Sequence, residues 1–345
     1  MQSVSDAVRS AGIASVPWTP PRSAVRSPSI GLRCPECHDF LIAISYRSLA
    51  RTDSSAHCTS CGATLEQDRG IWQGLPEFRQ AHFASFIEAS ELAGQKIGQG
   101  SSDPDFYLAL PFRDLTQIGA QQWAMRAKTF RVLQKEILPG LAGEGDPPLT
   151  ILDLGAGNGW MSYRLVCSGH RPVAVDLLTN SRNGLGTASH YQSELRELFP
   201  RFQAEFDNLP FADGEFDCAI FNASFHHSEN FDRTIGEAIR CLRPGGVLIV
   251  ADSPTYSVET GMSCSQESRG VCDLEDLGLR TEGLAGREYL TPQRLIAMEV
   301  RHEFEWSIHR CWYGFRWEWR AWMAKWRKLA ELPEFVLYST QVKTR

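Results

Sequence analysis

The run Ile151-Leu152-Asp153-Leu154-Gly155-Ala156-Gly157-Asn158-Gly159-Trp160 constrains this chain more than any other. Four residues of buried-strand character lead into glycines at three alternate positions, and the amphipathic stretch Met161 to Cys167 predicts a helix behind them. Glycines in a strand-to-helix turn allow positive φ and let a ligand approach the backbone. A dinucleotide-binding turn would want its third glycine at position 160, where this chain has Trp160. Asp153 would also repel a pyrophosphate. A nucleoside without phosphate, carrying a cationic tail, fits the turn better.

The residues that follow extend this reading. The stretch Pro172 to Asp176 predicts a second strand with an acid at its tip, where a carboxylate can accept both hydroxyls of a ribose. Next comes Glu205-Phe206-Asp207-Asn208-Leu209-Pro210-Phe211, and then a strand from Asp217 to Asn222 that ends in Ala223-Ser224-Phe225-His226-His227. An amphipathic helix, Phe231 to Leu242, leads through Arg243-Pro244-Gly245-Gly246 into a fifth strand ending at Asp252. Strand ends at the carboxyl edge of an open parallel sheet face the ligand crevice, so Asn222 and its neighbours belong there.

Together these landmarks resemble the class I S-adenosylmethionine (SAM) methyltransferases over about Ile151 to Asp252. The resemblance implies an α/β fold, a doubly wound, mainly parallel seven-stranded sheet, with SAM as cofactor. It implies cofactor contacts from Asp153, Gly155, Gly157, Gly159, Asp176, Glu205, Phe206 and Asn222. Glu205 would meet the adenine amino group and Phe206 would offer its backbone amide. The family usually has Asp at the first of these positions and a small residue at the second, which leaves Asp207 as the alternative acid. His226 or His227 is a candidate general base, since an unperturbed imidazole titrates near neutrality. A His-His pair at this point of the family also often only packs.

Ahead of this domain stand Cys34-Pro35-Glu36-Cys37 and Cys58-Thr59-Ser60-Cys61-Gly62. Two Cys-x-x-Cys pairs make a tetrahedral thiolate cage for zinc, so Cys34, Cys37, Cys58 and Cys61 are the expected metal ligands. Four thiolates close the site, which makes the zinc structural. Leu41 to Ile44 would supply a ribbon strand, and His38 and His57 adjoin the cage as alternative ligands. The segment is similar to small zinc ribbons that occur alone as methyltransferase activators or fused ahead of methyltransferase domains. The other six cysteines are scattered, which suits reduced thiols.

The expected organisation is a disordered tail at 1–30, a zinc ribbon at 31–78, a helical linker or cap at 79–148 and the methyltransferase domain at 149–345, with a substrate lid at 253–290. Tyr107 and Trp123 read as core aromatics of the cap that could also touch ligand. Glu303 to His309 and Glu334 to Gln341 predict strands six and seven, the last antiparallel, around a helix from about Gly314 to Ala330. On that helix Phe315, Trp319, Trp322 and Trp326 share one stripe, and Arg316, Arg320 and Arg327 align beside it. That basic, aromatic face is either a solvated surface or one for an anionic acceptor.

With 43% hydrophobic residues the chain can bury a large core, and a net charge of −6 gives no overall attraction to nucleic acid. No apolar run is long enough for a bilayer, and the expected location is the cytoplasm. The expected function is SAM-dependent methyl transfer to a small or lipid-like acceptor. Ribosomal or transfer RNA, gripped by the ribbon, is the alternative acceptor. Arsenite, on Cys264, Cys272 and Cys311, is a more distant one, and a non-enzymatic zinc adaptor is the alternative from another class. The sequence leaves the oligomeric state open.

Overall fold

Five short strands open the computed structural model. β1 (Ser29–Arg33) pairs antiparallel with β2 (Phe40–Ser45), and β3 (Ser55–His57), β4 (Thr64–Asp68) and β5 (Ile71–Gln73) form a meander. The structure describes residues 29–51, 54–96, 98–142, 147–255, 290–314, 319 and 334–343. The expected N-terminal tail apart from Ser29 and Ile30, which belong to β1, lies outside the described residues, as do Cys264, Cys272, nearly all of the expected lid and most of the expected C-terminal helix with its three arginines.

Three helices follow: α1 (Glu77–Lys96), α2 (Pro104–Ala109) and α3 (Ala120–Val132). The α2 helix starts where its composition says it should, with Asp103 accepting a bond from the amide of Asp105 and Pro104 in the first turn, where a missing N–H costs nothing. The alternating unit then begins with β6 (Thr150–Leu154), α4 (Trp160–Cys167), β7 (Arg171–Asp176), β8 (Arg201–Gln203) and β9 (Phe216–Asn222). It continues with α5 (Phe231–Cys241), β10 (Leu242–Ala251), β11 (Pro254–Thr255), α6 (Pro292–His302), β12 (Ser307–His309), β13 (Glu334–Phe335) and β14 (Leu337–Gln341).

The principal sheet runs β12-β14-β10-β9-β6-β7-β8-β5-β4-β3. From β8 to β12 this is the expected seven-stranded sheet, and β14 lies antiparallel to both β10 and β12. Beyond the expectation, the sheet does not stop at β8. The strand β5 pairs parallel with it, Trp72 opposite Phe202 and Gln73 opposite Gln203, so the amino-terminal meander adds three strands. The Trp72 indole stacks on Phe202 with ring centroids 5.8 Å apart, and its N–H donates to Leu49 O at 3.0 Å.

Strand alternation divides the core into two layers. Leu152, Leu154, Val173 and Val175 face one side with α5, α6 and the buried Ile30, Leu32 and Leu65 of the first strands. Ile151, Ala174, Cys218 and Ile220 face the other with Phe130 of α3 and Met161 and Leu165 of α4. No helix among the described residues is long and apolar enough to cross a membrane. The chain order reverses at β6, whose neighbours are β7 and β9, and such a reversal opens a crevice beyond the carboxyl ends of the strands.

Candidate active site

The crevice is built on the glycine turn. Gly155, Gly157 and Gly159 have φ of 76°, 54° and 72°, a region that L side chains avoid. A Cβ on Gly155 would stand 2.2 Å from Ser224 Cβ, so the turn also depends on close approach between the ends of β6 and β9. Ser224 ties the two ends together by donating its hydroxyl to Leu154 O at 2.6 Å. The amides of Gly155 and Ala156 donate to Val175 O at 2.8 and 3.0 Å. Asp176, at the tip of β7, accepts from the amides of Gly157 and Leu178, both at 2.8 Å. Burial raises the pKa of this carboxyl, and the amides of Leu178, Gly157 and Leu177 oppose that shift.

Above the turn lies a cavity of about 810 Å³, a size suited to a small molecule. Of the residues singled out in the sequence, Gly155, Gly157, Asp176, Glu205, Phe206, Asn222, His226 and His227 all line it. Asp153 and Gly159 stand behind the wall. Asp153 is 1% exposed and accepts from Ser162 Oγ at 2.7 Å. Burial first, then the nearby Asp176, push its pKa up to about 7. Gly159 packs under Phe199, whose Cζ would lie 3.0 Å from any Cβ placed there.

One end of the cavity is acidic. Glu205 is buried and its two carboxylate oxygens accept from Arg79 Nε, both at 2.9 Å. Arg79 reaches over from α1 and also donates to Glu229 at 2.9 Å, and Glu229 in turn meets His82 Nε2 at 2.6 Å. The bond to Glu205 raises the pKa of the Arg79 guanidinium. Asp207, the alternative acid, accepts from Thr234 Oγ1 at 2.6 Å, and burial raises its pKa. Phe206 sets its ring edge-on to Phe221 at 5.2 Å.

The other end is organised around Asp252. Its carboxylate accepts from Thr129 Oγ1 at 2.6 Å, Asn222 Nδ2 at 3.0 Å and Tyr313 OH at 3.3 Å. Burial raises its pKa, against the bond from Thr129 and the positive charge of Arg126. Both Asp252 and Ala223 hold positive φ, 53° and 54°, at the ends of the neighbouring strands β10 and β9, and both line the cavity. The rings of His226 and His227 lie 4.1 Å apart, with His226 Nδ1 3.5 Å from Ser253 Oγ. Trp123 lines the cavity, whereas Tyr107 is fully buried and donates its hydroxyl to Arg182 O at 2.7 Å.

Arg79, Arg126 and Asp252 were not singled out in the sequence. The only signal for Asp252 is its place at the end of the fifth strand. Arg79 and Arg126 lie in helices far along the chain from their neighbours in the site and belong to no motif.

The four cysteines converge on one point, with their sulfurs all within 4.8 Å of one another. Cys34 Sγ is 3.6 Å from Cys61 Sγ, and Cys37 Sγ is 3.5 Å from Cys58 Sγ. Metal–sulfur bonds of about 2.3 Å at tetrahedral angles set sulfurs about 3.8 Å apart, so the cage has the right size for such an ion. The Cys58 thiol is pushed down to about 6, chiefly by the Cys61 amide, while the neighbouring Cys34, Cys37 and Cys61 thiols are raised. His57 is turned to Thr64 Oγ1 at 3.2 Å. The cage rests on the loop that follows Glu205: Asn208 Nδ2 donates to Pro35 O at 2.8 Å, and Ala212 N to Gly31 O at 2.9 Å.

A mainly parallel sheet that reverses at β6, with a glycine turn and a second-strand acid lining the crevice, defines a nucleoside-binding α/β domain. Residues 152–250 match the family described as "Methyltransferase domain". The ubiquinone/menaquinone biosynthesis C-methyltransferase UbiE of Brucella anthropi is 29% identical over 124 residues, 35% of this chain and 47% of that protein. The malonyl-[acyl-carrier protein] O-methyltransferase of Methylococcus capsulatus is 33% identical over 118 residues, 34% of this chain and 42% of that protein. The chain thus spans less than half the length of the curated relatives it matches. Among solved structures, the 1,6-didemethyltoxoflavin-N1-methyltransferase of Burkholderia thailandensis aligns at 16% identity over 84% of this chain and 99% of that one, with a TM-score of 0.44.

Proposed function

We propose that this chain transfers the methyl group of SAM to a small-molecule acceptor. The observation that carries the proposal is Asp176, held by two turn amides at the wall of a cavity roofed by apolar side chains. A carboxylate fixed in this way keeps acceptor capacity for a ribose diol, and the turn beside it lacks the side chains that would fill the space. Bound SAM supplies an electrophilic methyl group on a sulfonium centre.

The chain's own part is mostly alignment, since in-line displacement gains more from position than from acid or base. Asp176 orients the nucleoside through its sugar, and Gly155 and Gly157 let the ligand lie against the backbone. Asn222, fixed by Asp252, lines the crevice where β9 ends. His226 or His227 is the group placed there to hold an acceptor's proton. Relatives named for ubiquinone/menaquinone biosynthesis and for a malonyl-[acyl-carrier protein] support a small or acyl acceptor. The thiolate cage holds a structural zinc in this reading, and the segment from Phe83 to Arg126 shapes the cavity from outside the alternating unit.

Isothermal titration with SAM tests the first step, and a labelled-methyl screen of small-molecule, lipid and RNA extracts tests the second. Saturable SAM binding with label entering the small-molecule fraction is expected. Absence of SAM binding overturns the enzyme reading, and label entering RNA alone overturns the acceptor class.

A further inference from the structure

Arg126, on α3, lines the cavity with its side chain half-buried. Its guanidinium stands 4.7 Å above the Trp123 ring, and the Trp123 ring meets Trp160 edge-on at 6.0 Å. Among the described residues this guanidinium has no hydrogen bond and no ion pair. The acid whose charge it feels is Asp252, and the Asp252 carboxylate is already engaged by Thr129, Asn222 and Tyr313. Arg79, on the neighbouring helix α1, differs in this respect: both its carboxylate partners, Glu205 and Glu229, are in place.

A half-buried cation with five unspent donors is costly unless an anion completes it. Burial lowers the Arg126 pKa, but an arginine keeps its charge at any ordinary pH. The planar fork matches the two oxygens of a carboxylate, and the surrounding wall, with Phe83, Phe106 and Trp123, suits an apolar body. We propose that Arg126 is the recognition residue for a carboxylate on the methyl acceptor, which makes the acceptor an acidic molecule with an apolar body. This inference rests on the methyltransferase reading only for the word acceptor.

The test titrates 2-naphthoate and the matched 2-naphthamide into the full chain saturated with S-adenosylhomocysteine, and again into the ligand-free chain. The wild-type chain is expected to prefer the carboxylate by at least about tenfold, as a charge-assisted contact requires. R126Q is expected to erase the preference and R126K to restore part of it, with S-adenosylhomocysteine affinity unchanged in both, which also shows that the variants are folded. Equal binding of acid and amide by the wild type, failure of both to bind, or a preference that survives in R126Q overturns the proposal. A fall in S-adenosylhomocysteine affinity in R126Q also overturns it, because Arg126 would then hold the cofactor's own carboxylate. If the wild type binds no S-adenosylhomocysteine yet prefers the acid through Arg126, the methyltransferase reading fails and the carboxylate site stands.

Discussion

Arg79 and Glu205, 126 residues apart, form a forked ion pair that joins the first long helix to the loop after β8. Glu205 is nearly buried and Arg79 about one-fifth exposed, so this pair is screened less than a surface one. Removing one partner leaves the other charge poorly solvated.

Arg79→Ala is therefore expected to cost about 1–3 kcal/mol of stability, discounted from the value for a fully buried pair because Arg79 is partly exposed. Urea denaturation reads it directly. Glu205→Gln, which keeps a hydrogen-bond acceptor, should cost less, and a double-mutant cycle should return a coupling well above zero. Additive single effects would show that the pair contributes nothing.

Asp176→Ala removes the acceptor of two turn amides and, in the proposed function, of the ribose diol. SAM affinity is expected to fall by roughly a hundredfold or more, from two lost charge-assisted bonds of about 1.5–3 kcal/mol each. Calorimetric titration checks this. Unaltered affinity would remove the cofactor assignment.

Gly155→Ala meets two obstacles at once, positive φ and the 2.2 Å approach to Ser224. A loss of about 2–4 kcal/mol is expected. Adding Ser224→Gly should recover only the steric part, because the backbone strain stays. Complete recovery in the double variant would mean that φ at this position is relaxed.

Asp153 carries the clearest dependence on pH. Its folded pKa, about 7, lies above the ordinary carboxylate value, so between about pH 4 and 7 the folded chain holds a proton that the unfolded chain has lost. Its contribution is therefore favourable at the acid end of that window and declines as pH rises through 7. Asp153→Asn should flatten the stability profile across this window, measured by denaturation at several pH values. An identical slope in the variant would assign the dependence to other groups.

One zinc per chain is expected by elemental analysis, and Cys58→Ser should abolish it. Because Asn208 and Ala212 are bonded to the ribbon, the same variant should also lower the melting temperature of the whole chain. A metal-free preparation with unchanged melting temperature would refute both expectations.

Gly155, Gly157 and Asp176 were legible because a strand, a tight turn and the next strand tip lie close in the chain, and Asn222 because it ends a strand whose carboxyl edge faces the crevice. The four cysteines were legible for the same reason of fixed spacing. The three-residue β5 was not, since Ile71-Trp72-Gln73 is too short to show a period and is set as a strand by its partners on either side, β4 and β8. Arg79 and Arg126 gave no signal for a different reason: a single arginine on a helix reads as a solvated charge until folding sets it against carboxylates, as for Arg79, or a cavity, as for Arg126. Asp153 and Gly159 belong to the expected motif, but packing under the turn turns them away from the cavity.

The parallel pairing of β5 with β8 has a consequence for biosynthesis. Trp72 leaves the ribosome more than a hundred residues before Phe202, the strand neighbour it needs. Until then β5 is an unpaired edge with a large aromatic side chain, the kind of surface that invites association between nascent chains. Metal capture by the early cysteines would give this waiting segment a local fold of its own before its permanent neighbour exists.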